Sequence, residues 1–198
     1  MHIDKKITTD YLPEVLIFFI FIFVGIISYK DYGISIDEEY HRQSGQLYYS
    51  FLKDLLLGTD LADKITVKEI REASKQTLYL MPAFFDVLAE FVIDILDIND
   101  TQNVFFTRHL INFIFFYISC FFFYLIILEI FNNKIYSIIG VLYLFFYPRI
   151  FGESFYNNKD IIFLSCSIIL IFFSIKYLKK QNYLNAFLFG VASGLAFD

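Results

Sequence analysis

Four stretches of the chain, residues 15–29, 110–128, 135–147 and 161–175, contain no Asp, Glu, Lys, Arg or His. Hydrophobic residues make up 58% of the 198 and charged residues only 19%, too few to cover that much continuous apolar sequence in water. A bilayer suits such runs, since a membrane helix needs about 20 predominantly apolar residues. The expected fold is an all-α polytopic membrane protein of about five transmembrane helices, the last incomplete, with amphipathic interface helices in a long first outer loop. The boundaries fall where charge interrupts apolar sequence: a cytoplasmic tail at 1–10, spans at 11–29, 104–130, 135–147 and 161–177, outer loops at 30–103 and 148–160, and an incomplete span at 183–198. The first run follows Lys5 and Lys6 and lacks a small-x-small cleavage site, so it reads as an uncleaved span and not a signal peptide.

The 30–103 segment is too long and too charged to span. Ser35 and Glu38 have capping-box spacing, and the helix they open places Leu47, Tyr48, Phe51, Leu52, Leu55 and Leu56 on one face before Gly58 ends it. Thr66 and Glu69 repeat the spacing and predict a short polar helix toward Lys75. Pro82 suits a helix first turn, and Asp86, Glu90 and Asp94 recur every fourth residue on an otherwise apolar segment reaching Asp97. Three carboxylates are too costly in hydrocarbon, so this segment is expected to lie on the membrane. Asn132-Asn133-Lys134 reads as a tight turn.

If the spans alternate, Lys5, Lys6, Lys134, Lys176, Lys179 and Lys180 share one side, which the positive-inside rule makes cytoplasmic. The amino terminus is then inside and the 30–103 loop outside a cytoplasmic (inner or plasma) membrane. Arg149 and Lys159 fall on the outer side against that trend. The net charge of −5 argues against a nucleic-acid partner. Cys120 and Cys166 lie inside apolar runs without metal-ligand spacing and read as packing residues. Spans free of ionisable groups disfavour a proton-coupled transporter.

Three polar clusters meet on the outer side. In Ile36-Asp37-Glu38-Glu39-Tyr40-His41-Arg42, helix capping and a Glu38–Arg42 ion pair are the plain explanation. The functional one makes Asp37 or Glu38 a general base, with the neighbouring acid or His41 tuning it. Adjacent acids at a helix start point in different directions, which suits two tasks better than a shared proton. The segment from Tyr147-Pro148-Arg149 to Asn157-Asn158-Lys159-Asp160 is either a plain connector or a phosphate-holding loop in which Arg149 and Lys159 supply charge and Asp160 orients a hydroxyl or a metal ion. Arg108-His109 is either a snorkelling interfacial pair or part of the same site.

Taken in order, these features resemble the amino-terminal part of the GT-C class of membrane glycosyltransferases, which includes the protein O-mannosyltransferases and the aminoarabinose transferase of lipid A. The resemblance rests on one span, an outer loop opening with Asp37-Glu38, interface helices, Arg108-His109 entering span two, the inner turn at 132–134, and Pro148-Arg149 through Asn157-Asn158-Lys159-Asp160. Members of the class run to several hundred residues with roughly a dozen spans, so the resemblance implies that this chain is an amino-terminal fragment.

It also implies a transfer reaction in which a polyprenyl-phosphate-linked sugar is the donor and a lipid, glycan or protein hydroxyl the acceptor. Asp37 would be the base of an inverting step, with Glu38 beside it. Arg108, Arg149, Asn157, Lys159 and Asp160 would bind substrate or phosphate. Some members of the class use a divalent ion, Mg or Mn, for which Asp37, Glu38 and Asp160 would be the candidate ligands. A non-catalytic multi-span scaffold or carrier is the alternative, and it gives no reason for Arg149 and Lys159 on the outer side.

Overall fold

The computed structural model describes residues 11–57 and 84–197. Those residues form eight helices: α1 (Leu12–Ser28), α2 (Glu38–Leu57), α3 (Phe84–Ile95), α4 (Thr101–Phe131), α5 (Lys134–Phe146), α6 (Pro148–Tyr156), α7 (Asp160–Lys179) and α8 (Tyr183–Ala196). No strand occurs among the described residues. The expected helix after Thr66, the stop at Gly58 and the start at Pro82 lie outside them.

Helix α4 organises the molecule. Its 31 residues extend about 46 Å, longer than a hydrocarbon core of about 30 Å. Asp100 caps its start by accepting the Asn103 N–H (3.0 Å), and Asn132 ends it in the left-handed region at φ 47°. Asn133 then caps α5, its side chain accepting from Ile135 N–H at 2.9 Å, so the 132–134 turn is built from two asparagines with different tasks. Helices α1, α3, α5, α6 and α7 all pack on α4.

The core is aromatic. Phe113 and Phe155 stack at 5.2 Å, Phe21 and Phe145 at 3.8 Å, and all four rings are buried. Gly25 admits this packing, because a Cβ there would lie 2.0 Å from the Phe113 ring. Helices α4 and α7 are each long and apolar enough to cross a membrane, and α5 with α6 would make a third crossing if that pair, bent by 61°, counts as one. Helices α1 and α8 are apolar but shorter. The chain is an all-α, multi-pass membrane protein.

One element differs from the sequence expectations. Residues 148–156 form a helix where a loop was expected: Pro148 occupies the first turn, which its fixed φ favours, and Tyr147 before it is extended, so the pair bends the chain and restarts the helix. In α3, Asp86 and Glu90 are both buried, a placement that their four-residue spacing alone did not decide.

Candidate functional site

Helices α2, α3 and α4 meet at one end of the bundle around a buried cluster of charged side chains. Arg108, about two turns into α4, is 1% exposed. Its guanidinium donates through Nη2 to Asp86 Oδ1 and through Nη1 to Glu90 Oε1 (3.2 Å), and it lies over the Phe85 ring. The four-residue spacing of Asp86 and Glu90 puts both carboxylates on one face of α3, so one planar cation satisfies both. Burial pushes the Glu90 carboxyl above its ordinary range, against the opposing pull of Arg108 and Arg42.

Asp86 has two further partners. Asn158 donates its side-chain N–H to Asp86 Oδ1 at 2.9 Å, and His41 Nδ1 lies 3.0 Å from Asp86 Oδ2. The approach of α2 to α3 depends on Gly45, one turn beyond His41, where a Cβ would sit 2.8 Å from the Asp86 carbonyl oxygen. His41 and Gly45 therefore meet Asp86 from the same face of α2.

The adjacent acids Asp37 and Glu38 point in different directions. Glu38 is buried: it accepts the Ser35 backbone N–H at 3.2 Å, half of a capping box, and it lies 3.0 Å from His109 Nε2. The Tyr29 carbonyl faces the other ring nitrogen of His109 at 3.3 Å. Arg42 stands beside Glu39 (3.9 Å), not in the expected pair with Glu38, whose buried carboxylate lies against His109 of α4.

Asp37 is exposed and lines an open pocket of about 250 Å³ with His41, Asn157, Lys159 and Asp160. Asn157 caps the entry to α7, accepting the Asp160 N–H at 3.0 Å and donating to the Asp160 carboxylate at 3.1 Å. No described residue pairs with the Lys159 ammonium. A smaller cavity of about 40 Å³ adjoins, lined by His41, Asp86, Asn158 and Lys159.

Of the residues singled out from sequence, the pocket thus gathers Asp37, Asn157, Lys159 and Asp160. Glu38 and Arg108 lie behind it, held by protein partners. Arg149 is exposed in the first turn of α6, pairs with Glu153 at 2.9 Å, and is not among the pocket-lining residues. Asp37, Glu38 and Asp160 do not converge on one point, and no group of three or more His, Cys, Asp or Glu side chains among the described residues is arranged to hold a metal ion. Asp86, Glu90 and Asn158 were not singled out as site residues; the i, i+4 acids of α3 together with Arg108-His109 were the signal that could have found them.

The opposite end of α4 carries a second set of ion pairs. Lys176 and Lys179 of α7 hold Glu129 at 2.8 and 2.9 Å, and Lys134 of α5 reaches Glu14 of α1 at 3.3 Å. Tyr124 donates to the same Glu14 carboxylate at 3.1 Å.

No curated protein and no solved structure gives a significant match to this chain. A family model does: the one described as dolichyl-phosphate-mannose-protein mannosyltransferase matches residues 78–198, more than half of the sequence. The match takes in Asp86, Glu90, Arg108, His109 and the 157–160 corner, while the Asp37 stretch precedes it. With an all-helical membrane fold and a polar site gathered at one end of it, the chain belongs to the dolichyl-phosphate-mannose-protein mannosyltransferase family of glycosyltransferases.

Proposed function

We propose that this protein transfers a sugar from a polyprenyl-phosphate carrier to a hydroxyl of a protein, lipid or glycan acceptor at the outer face of the cytoplasmic membrane, with inversion at the anomeric carbon. Asp37 takes the proton of the acceptor hydroxyl as that oxygen attacks the anomeric carbon. The bond from that carbon to the phosphate oxygen breaks, and its electron pair leaves with the phosphate. Lys159 stands in the same pocket to neutralise the charge that develops there. Asp160, steadied by Asn157, orients a substrate hydroxyl. Glu38, held by Ser35 and His109, fixes the start of α2 and with it the position of Asp37. Arg108 acts through Asp86 and Glu90 and not on the phosphate, since its guanidinium is buried against these two carboxylates and does not line the pocket.

The observation that carries this reading is the sharing of one open pocket by Asp37 and a lysine without a described counter-ion, delivered from distant parts of the chain. The amino terminus and the Glu129–Lys176–Lys179 cluster then lie on the cytoplasmic side. Mannose is the first sugar to test, because it is the one the family's description names.

Full-length protein in proteoliposomes, supplied with polyprenyl-phosphate-mannose and a serine- and threonine-bearing peptide, provides the assay. Asp37→Asn is expected to lower transfer by about 100 to 10,000-fold while the protein stays monodisperse, the range typical of a lost general base. Retention of more than about a tenth of the wild-type rate would remove Asp37 from the role.

A further inference from the structure

His41 and Asn158 line both cavities, and both contact Asp86. Asp86 accepts from Arg108 and Asn158 on Oδ1 while Oδ2 faces His41. A carboxylate so placed beside a guanidinium has only acceptor sites to offer, so the His41 nitrogen against it must carry the hydrogen. With one proton on the ring, that leaves Nε2 with a free lone pair, and no described residue bonds it. The ring belongs to a residue only 4% exposed, and Gly45 draws the face of α2 that bears it onto Asp86. The arrangement is that of a histidine whose tautomer is set from behind by a carboxylate and whose other nitrogen is kept for a ligand.

We propose that His41 is a substrate-binding residue whose Nε2 accepts a hydrogen bond from a carbohydrate or acceptor hydroxyl in the Asp37 pocket, and that Asp86, held by Arg108 and Asn158, is its positioning residue. This rests on the pocket being the transfer site. It adds a recognition role for two residues that the proton transfer to Asp37 does not use. Asp86→Asn keeps the shape but can turn an amide N–H toward His41, which forces Nδ1 to accept and converts Nε2 from acceptor to donor.

The test is ¹⁵N NMR of the full chain labelled at histidine, with the His41 signals identified as those lost in His41→Gln. Wild-type protein at neutral pH is expected to show Nδ1 protonated and Nε2 bare, and the Asp86→Asn variant the reverse. Two soluble probes separate the possible sources of the hydroxyl. Mannose 1-phosphate shifting Nε2 assigns it to the donor sugar, and the serine- and threonine-bearing peptide shifting it assigns it to the acceptor. The affinity of the responding probe is expected to fall about tenfold in Asp86→Asn, as for one lost hydrogen bond. Glu90→Gln, which touches Arg108 and not His41, should leave the tautomer unchanged. A wild-type ring protonated at Nε2, or at both nitrogens, overturns the proposal, as does an Nε2 indifferent to both probes. Asp37→Asn separates the two readings: it should abolish transfer yet leave the tautomer and the probe shift intact, so failure of the Asp37 role shows in the rate and failure of the His41 role in the spectrum.

Discussion

Glu90 shows how two effects of opposite sign act on a single carboxyl. Arg108 favours its anion, burial favours its neutral form, and burial prevails, so its folded pKa stands above the ordinary value of 4.5. Such a group contributes stability that is fully present below the unfolded value and is lost as pH rises through the folded one. Glu90→Gln keeps an oxygen to accept from Arg108 Nη1 and never ionises. It should raise the midpoint of thermal unfolding at pH 7, by a margin that shrinks as pH falls toward 4.5; a lower midpoint at pH 7 would reverse the sign of the balance. Asp86 differs in its partners, since three donors converge on it and its removal takes from a buried guanidinium one of its two carboxylates. Sequence alone exposed the four-residue spacing of these acids but not the side of α3 they occupy. Their cation lies on another helix, and only tertiary packing decides whether such a stripe faces water or an arginine.

At the scale of the helix, the apolar runs and their asparagine and proline punctuation made most of the architecture legible. Asn132 and Asn133 were readable as a turn because each has a side chain suited to its half of the junction. Residues 148–156 were not readable as a helix, because polar residues and Gly152 look like a connector until Phe151 and Phe155 find the aromatic core. Gly25 was equally silent: inside an apolar run nothing marks a glycine as a contact point. Gly25→Ala would press a methyl group into Phe113, which cannot yield because it stacks on Phe155 and meets Phe145 edge-on. Overpacking of this kind costs about 1–3 kcal/mol. Reversible unfolding in detergent should show that loss, and a neutral result would mean that α1 slides along α4 to make room.

Across the whole molecule, α4 carries a charged cluster at each end, Arg108 and His109 at one and Glu129 at the other. Their separation of about 30 Å along the helix matches the thickness of hydrocarbon between them. The same layout has a consequence for biogenesis. A ribosome makes α3 before α4, so Asp86 and Glu90 already exist when the segment bearing Arg108 reaches the insertion machinery. An arginine entering lipid alone is penalised by about 2.5 to 3.5 kcal/mol at the bilayer centre and by less toward the edge where Arg108 comes to rest, whereas one that arrives with its two carboxylates is partly discharged before it partitions. Protease-protection mapping of the nascent chain should find α4 inserted less often in the Asp86→Ala, Glu90→Ala double variant, and a further Arg108→Leu change should restore it. Full insertion of the double variant would show that α4 enters the bilayer without help. If the loss and its rescue are seen, the cluster that orders the finished pocket also serves earlier as an escort, admitting one helix to the membrane only in the company of the helix made before it.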